Sequence, residues 1–243
     1  MPYSPEIERY RTMQKGYYES ANPEDDGSLV NIVGCFDVHE RYPYERFLLE
    51  HINPHDKVAL DFGCGPGRMI RRMARFFKRV DGVDISQPLI QGAARWCKDI
   101  VPQPNLYVND GVTLADVPSG DYDFVYSTIA FHHIARHDIR MSLLREFHRV
   151  LREGGRLCLQ MFYTTQPRSE WMHHADWRDD PSDVPTTNGH HDVRITSDNL
   201  WQVRDDFTSV GLLGFTYTMA PYPPPPHPVE SATDWVFLHA RKP

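Results

Sequence analysis

The stretch Val58-Ala-Leu-Asp-Phe-Gly-Cys-Gly-Pro-Gly67 decides the fold. Its apolar opening, Val58-Ala59-Leu60, reads as a strand buried on both faces. Glycines follow at alternate positions, Gly63, Gly65 and Gly67, and then Met69, Ile70, Met73, Phe76 and Phe77 recur at helical spacing. Strand, tight turn and helix make the first unit of a nucleotide-type α/β fold, with ligand held at the carboxyl end of the strand. A turn without side chains lets the backbone approach that ligand closely.

Residue types narrow the ligand. A dinucleotide fingerprint needs glycine at position 68, which is Arg68, and the Gly-Lys-Ser/Thr ending of a phosphate loop is absent. Asp61, two residues before the first glycine, would repel a pyrophosphate and suits a ligand carrying an ammonium and a sulfonium. The next predicted strand runs Arg79-Val-Asp-Gly-Val-Asp-Ile85 and puts Asp84 21 residues beyond Gly63, the spacing of a carboxylate that grips two ribose hydroxyls.

On these residues the chain resembles the class I S-adenosylmethionine-dependent methyltransferases, in particular their small-molecule, methyltransferase type 11-like branch. Asp61-Phe-Gly-Cys-Gly-Pro-Gly67 resembles the first motif and Asp84-Ile-Ser86 the ribose-binding acidic loop. Asn109-Asp-Gly111 resembles the adenine-binding turn, Tyr122 to His133 the fourth motif, and Leu151 to Leu157 the helix-turn-strand that follows. The likeness spans residues 45 to 163, and more loosely the last 45 residues. It implies an α/β, Rossmann-like, doubly wound, seven-stranded and mainly parallel sheet with an antiparallel last strand.

The resemblance implies S-adenosyl-L-methionine as cofactor. Asp61, Gly63, Cys64 and Gly65 would meet its methionine part, Asp84 and Ile85 its ribose, and Asn109, Asp110 and Gly111 its adenine. Ser127, Ile129 and His133 would close the pocket, and Tyr18 is the aromatic candidate from the N-terminal segment beside Tyr10 and Tyr17. Plain structural readings stand beside these: aspartates make turns, and the first helix can simply pack on the sheet. The fourth motif lacks the Asn/Asp-Pro-Pro-aromatic signature of base and glutamine methylation, since Ser127-Thr-Ile-Ala130 has no proline.

A hydroxyl acceptor needs a base, and histidine titrates nearest neutrality. His132 and His133 follow the fourth strand. By the family pattern His133 packs towards the cofactor while His132 is freer to face the acceptor; both could instead merely shape the pocket. His173 and His174 are rival bases. With His190, His191 and Asp176 they could also ligate a metal, but adjacent pairs in a loop lack helix-defined spacing and no metal site is assigned.

The 243 residues fit one domain: an N-terminal helical cap over 1–52, a cofactor-binding core over 53–163, a lid insertion over 164–196 and C-terminal helix and strands over 197–243. The predicted helices run from a Ser4 cap to 18, from Pro43 to His51, from a Ser86 cap to Lys98, from Asp138 to Arg152 with Gly154-Gly155 as its stop, and from a cap at Ser197 or Asp198. Trp171 and Trp177 mark the insertion as an acceptor-site lid, and the prolines of 221–228 as extended polyproline structure.

A net charge of -7 opposes a broad nucleic-acid surface. No run approaches the roughly 20 apolar residues of a membrane span, Pro2 to Gly16 is too polar for a signal peptide, and Cys35, Cys64, Cys97 and Cys158 form no Cys-x-x-Cys pair. The reading is therefore a cytoplasmic enzyme that moves a methyl group to oxygen or nitrogen of a small molecule, with neither nucleic acid nor membrane as partner. The alternatives are a cofactor-binding scaffold for a partner enzyme, a cofactor-assisted cyclase, and a nicotinamide-dependent oxidoreductase. Acceptor and oligomeric state are not legible.

Overall fold

A computed structural model describes residues 3–25, 42–166, 175–181, 192–221 and 233–243. Its strands are β1 (Val58–Phe62), β2 (Arg79–Asp84), β3 (Leu106–Val108), β4 (Tyr122–Ser127), β5 (Leu151–Thr164), β6 (Arg194–Ile195), β7 (Leu213–Ala220) and β8 (Thr233–Arg241). They form one sheet in the order β3-β2-β1-β4-β5-β8-β7, with β6 pairing β5. All pairs are parallel except those of β8, which runs against both β5 and β7. Among the described residues the sheet thus has eight strands where the sequence indicates seven. The extra one, β6, comes from the lid insertion and pairs at Phe162 and Tyr163, beyond the tip of β4.

Among the described residues six helices cover the sheet: α1 (Pro5–Glu19), α2 (Tyr44–Leu48), α3 (Arg68–Met73), α4 (Gln87–Trp96), α5 (His137–Val150) and α6 (Leu200–Ser209). Strand alternation sends Leu60, Val125, Leu157 and Leu159 to one core with α5 and α6. Ala59, Phe124, Tyr126 and Cys158 go to the other, with α2 and α3. Both faces are therefore apolar, as the continuous hydrophobic runs require.

Local signals act as read at two caps. Ser4 accepts from the Ile7 amide, and Ser86 from the Leu89 amide, each at 3.3 Å. Three boundaries differ. The helix opened by Pro43 stops at Leu48. The helix predicted to end at Gly154-Gly155 ends at Val150, because the Arg149 and Val150 carbonyls accept from Gly120 and Asp121 at 3.0 Å and Leu151 pairs with Tyr122. Asn199, rather than Ser197 or Asp198, precedes the last helix, and its side chain fastens Thr196, Asp176 and Arg194 to one another.

The larger correction concerns Trp177, read from sequence as part of an acceptor lid. Its side chain is wholly buried, its indole nitrogen donates to Asp206 Oδ2 at 2.6 Å, and the Arg140 guanidinium lies 4.9 Å from its ring. Arg140 is itself buried and donates to the Ile134 and Trp177 carbonyls. An indole has a large apolar body and one donor to satisfy, and this setting supplies both needs. Trp171 and residues 222–228 of the proline run lie outside the described residues.

Trp177→Ala is accordingly expected to lower unfolding free energy by about 3–5 kcal/mol. Urea denaturation followed by circular dichroism checks this; a loss below about 1 kcal/mol would show that the indole is not a core anchor.

Candidate cofactor and acceptor site

Parallel pairing of β1 with β2 sets Asp61 opposite Gly82 and Phe62 opposite Val83, so both strands end side by side. The chain then turns over the β2 tip, with the Gly63 and Cys64 amides donating to the Val83 carbonyl at 2.8 and 3.2 Å. Gly63 has φ +72°, and a Cβ there would lie 2.2 Å from the Ala130 side chain. No other residue fits. The Cys64 side chain turns away beneath the loop, against Gly82 and Ile70, leaving only its backbone to face a ligand.

Asp84 holds this turn. Its Oδ2 accepts from the Gly65 amide at 2.8 Å and its Oδ1 from the Ser86 amide at 2.9 Å. Burial raises its pKa, offset in part by those amides. Asp61 is different. It is 1% exposed, and no hydrogen bond of good geometry reaches either carboxylate oxygen, although the Tyr126 hydroxyl and the Arg68 charge lie close enough to lower its pKa. Burial pushes its pKa well up, the Asp84 charge adds to this, and Arg68 opposes it.

The Asn109 amide donates to the Asp84 carbonyl at 2.9 Å, prolonging the β2–β3 pairing and bringing the third loop alongside. Asn109 Oδ1 accepts from the Gly111 amide at 3.2 Å. Gly111 has φ +87°, and a Cβ on it would stand 2.8 Å from Ile85 Cδ1. Asp110 makes the turn: Oδ1 accepts from the Val112 and Thr113 amides at 2.9 and 2.7 Å, and Oδ2 from the Tyr3 hydroxyl at 2.6 Å. Burial alone would raise this carboxyl; those donors outweigh it and hold the pKa down. Arg11 of α1 donates to the Asp110 carbonyl at 3.2 Å, so α1 lies across this loop.

β4 ends at Ser127, which is buried. Ile129 follows with φ +55°, a left-handed conformation that a β-branched residue adopts only under constraint, and its amide donates to Gln160 Oε1 at 2.7 Å. A single 3-10 turn, Phe131–His133, then carries the two histidines. His132 is wholly buried, with ring centroids 4.3 Å from Phe162 and 4.1 Å from His133. His133 is half-buried, and its Nδ1 lies 2.5 Å from Asp192 Oδ1. His132 is thus enclosed, and the His133 ring meets Asp192. Its carbonyl accepts from Gln14 at 3.0 Å and from the Tyr10 hydroxyl at 3.3 Å. Burial, then the charges of Asp192 and Asp84, push the Tyr18 phenol well up, and the Tyr18 carbonyl accepts from Ser86 at 3.1 Å. His173 and His174 lie outside the described residues.

A family model described as a methyltransferase domain matches residues 59–155. An uncharacterized methyltransferase of Mycobacterium tuberculosis is 31% identical over 121 residues, 50% of this chain and 58% of that one. These matches support a class I S-adenosylmethionine-dependent methyltransferase.

N-demethylindolmycin N-methyltransferase of Streptomyces griseus is 27% identical over 187 residues, covering 69% of this chain and 73% of that one. Among solved structures, 1,6-didemethyltoxoflavin-N1-methyltransferase of Burkholderia thailandensis, with S-adenosylhomocysteine bound, superimposes with a TM-score of 0.67. It shares 16% identity, with 100% of this chain and 92% of that one covered, which is a likeness of fold alone.

S-adenosylmethionine, the family's cofactor, fits these residues. The two unpartnered oxygens of Asp61 want a cation, and a phosphate would meet two acids there. Sequence reasoning missed Asp192 and Gln14, and named Tyr10 only as an aromatic candidate; all three reach His133 from remote segments. A proton-sharing pair also accounts for the 2.5 Å contact better than a metal does, because two ligands of one tetrahedral ion stand about 3.4 Å apart.

Asp61→Asn is expected to stabilise the ligand-free protein by about 1–2 kcal/mol and to weaken S-adenosylhomocysteine binding. Burial holds the parent's folded pKa well above the ordinary carboxylate range, so its deficit is full at alkaline pH, shrinks as pH falls below that folded pKa and is gone below the unfolded value. Thermal melts between about pH 5 and pH 8 should therefore show the two proteins converging on the acid side.

Proposed function

We propose that this chain transfers a methyl group from S-adenosylmethionine to a nitrogen or oxygen of a small-molecule acceptor. One observation carries the reading: a buried, unpartnered Asp61 carboxylate beside Asp84, walled by a turn with no room for a side chain at Gly63. A carboxylate so placed stabilises a cationic ligand far more than it could at the surface. Two relatives support a small acceptor, being named for N-methylation of demethylindolmycin and of didemethyltoxoflavin. The net charge of -7 supports the exclusion of nucleic acid. No helix of the described residues is long and apolar enough to cross a membrane, and Cys64, Cys97 and Cys158 are free thiols, consistent with a cytoplasmic setting.

The cofactor supplies an electrophilic methyl group on a sulfonium. Asp61 would attract its ammonium, Asp84 would accept from the ribose hydroxyls with the lone pairs its amides leave, and Ile85 with Gly111 would flank the adenine. Asn109 and Asp110 would shape the adenine turn, with the amides of Gly63, Cys64 and Gly65 lining the methionine part. Ser127, Ile129 and Tyr18 would close the pocket and keep water from it. Displacement is in line, so positioning supplies most of the rate.

His133 is the base this geometry favours. Asp192 fixes its ring through Nδ1 and stabilises the imidazolium, so that Nε2 takes the acceptor's proton as the new bond forms. His132 backs the His133 ring and would position it rather than touch the acceptor.

Incubation with methyl-labelled S-adenosylmethionine and a metabolite extract should yield labelled small molecules together with S-adenosylhomocysteine. No labelled product and no calorimetric binding of S-adenosylhomocysteine would reject the reading. His133→Ala should lower kcat about 10²-fold or more while cofactor affinity stays within a few-fold, and Asp192→Asn should do the same to a lesser degree. If His132→Ala abolishes turnover and His133→Ala leaves it intact, the two histidines exchange roles.

A further inference from the structure

Away from the methyl-transfer site, a second cluster of ligating side chains sits where the turn after α2 meets the β5–β8–β7 end of the sheet. Glu50 and His51 follow α2, and His239 lies on β8 opposite Cys158 of β5 and Thr216 of β7. One ligating atom from each of Glu50, His51 and His239 lies within 4.8 Å of the other two. Glu50 Oε2 and His239 Nε2 are 4.0 Å apart, beyond a direct hydrogen bond. The two imidazoles stand edge to face with centroids 4.7 Å apart, and the Cys158 thiol comes within 3.8 Å of His239 Nε2.

Two nitrogens and one carboxylate oxygen converge here without bonding one another. Ions of the zinc type bind such ligands at about 2.0–2.2 Å, which puts the ligand atoms about 3.4 Å apart. A spacing of 4.0 Å closes to that with a small rotation of Glu50, whose side chain is 40% exposed. The surrounding groups orient the ligands: Thr218 donates to Glu50 Oε2 at 2.5 Å, and the Thr216 hydroxyl lies 3.3 Å from His51 Nε2. His239 is buried and fixed in the central sheet, while Glu50 and His51 reach the surface, so an ion could enter from solvent.

We propose that Glu50, His51 and His239 bind one divalent cation of the zinc class, with water completing the coordination. Two imidazoles select zinc, cobalt, nickel or copper over magnesium and calcium. The ion ties the turn after α2 to β8, and so clamps the N-terminal cap to the antiparallel end of the sheet. The methyl-transfer chemistry does not require it.

The test uses the full chain, stripped with chelator and titrated with Zn²⁺ and Co²⁺. Elemental analysis should give one ion per chain, the melting temperature should rise with zinc, and Co²⁺ should give visible absorption bands. Glu50→Gln and His51→Ala, both surface changes that leave the fold intact, should each abolish the stoichiometric ion and the zinc-dependent rise in melting temperature. Thr218→Val should weaken binding about tenfold, and His133→Ala should bind zinc like the parent. Absence of stoichiometric zinc in the parent, or its survival in both Glu50→Gln and His51→Ala, overturns the proposal.

Discussion

Two carboxylates at neighbouring strand tips set the terms for the rest of this molecule. Parallel pairing of β1 with β2 leaves Asp61 and Asp84 buried within the same small region. Asp84 is compensated by two backbone amides, but Asp61 by none. Such a carboxylate is a cost to the ligand-free fold that an apolar residue would remove. Several nearby irregularities share that location. Gly63 touches Ala130 so closely that only hydrogen fits, and Ile129 is held in a left-handed conformation one residue before that contact. Strain and unpaired charge collected at one place mark a site built around something absent from the chain itself.

α1 joins the parts that would otherwise be independent. Tyr3 and Arg11 reach Asp110 on the third loop, Gln14 and Tyr10 hold the carbonyl of His133, and the Tyr18 carbonyl accepts from Ser86 beside Asp84. One helix therefore bridges the ribose end, the adenine turn and the histidine turn. The first is where cofactor would be gripped and the last is where an acceptor's proton would leave. A helix seated on all three makes the cofactor pocket and the base loop a single mechanical unit, so that positioning of one constrains the other.

The sheet and the glycine turn over the tip of β2 were legible because both depend on local pattern. Buried strands are apolar runs, the turn needs glycine, and acids at strand tips follow from spacing. What escaped depends on contacts between distant segments. Asp192 lies 59 residues from His133 and has no periodicity to announce it. Adjacent histidines carry no mark of which one turns inward; Phe162 and Asp192 decide that. Trp177 sat in a polar segment and so suggested a surface role, yet Arg140 and Asp206, from two helices, give its ring and its nitrogen a buried home. The end of α5 was missed for a similar reason. Glycines about one turn on offered an obvious stop, but carbonyls claimed by the lead-in to β4 ended the helix first.

Two of the carboxylate–imidazole contacts among the described residues, His133–Asp192 and His239–Glu50, differ in their distance. At 2.5 Å, Asp192 Oδ1 and His133 Nδ1 are within hydrogen-bond distance, which fixes the ring. At 4.0 Å, Glu50 and His239 are too far apart to share a proton and near enough to share a cation. The backbone imposes this difference. His133 and Asp192 sit in loops that β6 draws together by pairing with β5, whereas His239 is fixed mid-strand and Glu50 must reach it across a turn. One pair is consequently suited to moving protons, the other to holding a metal. Residue type alone would not have told them apart.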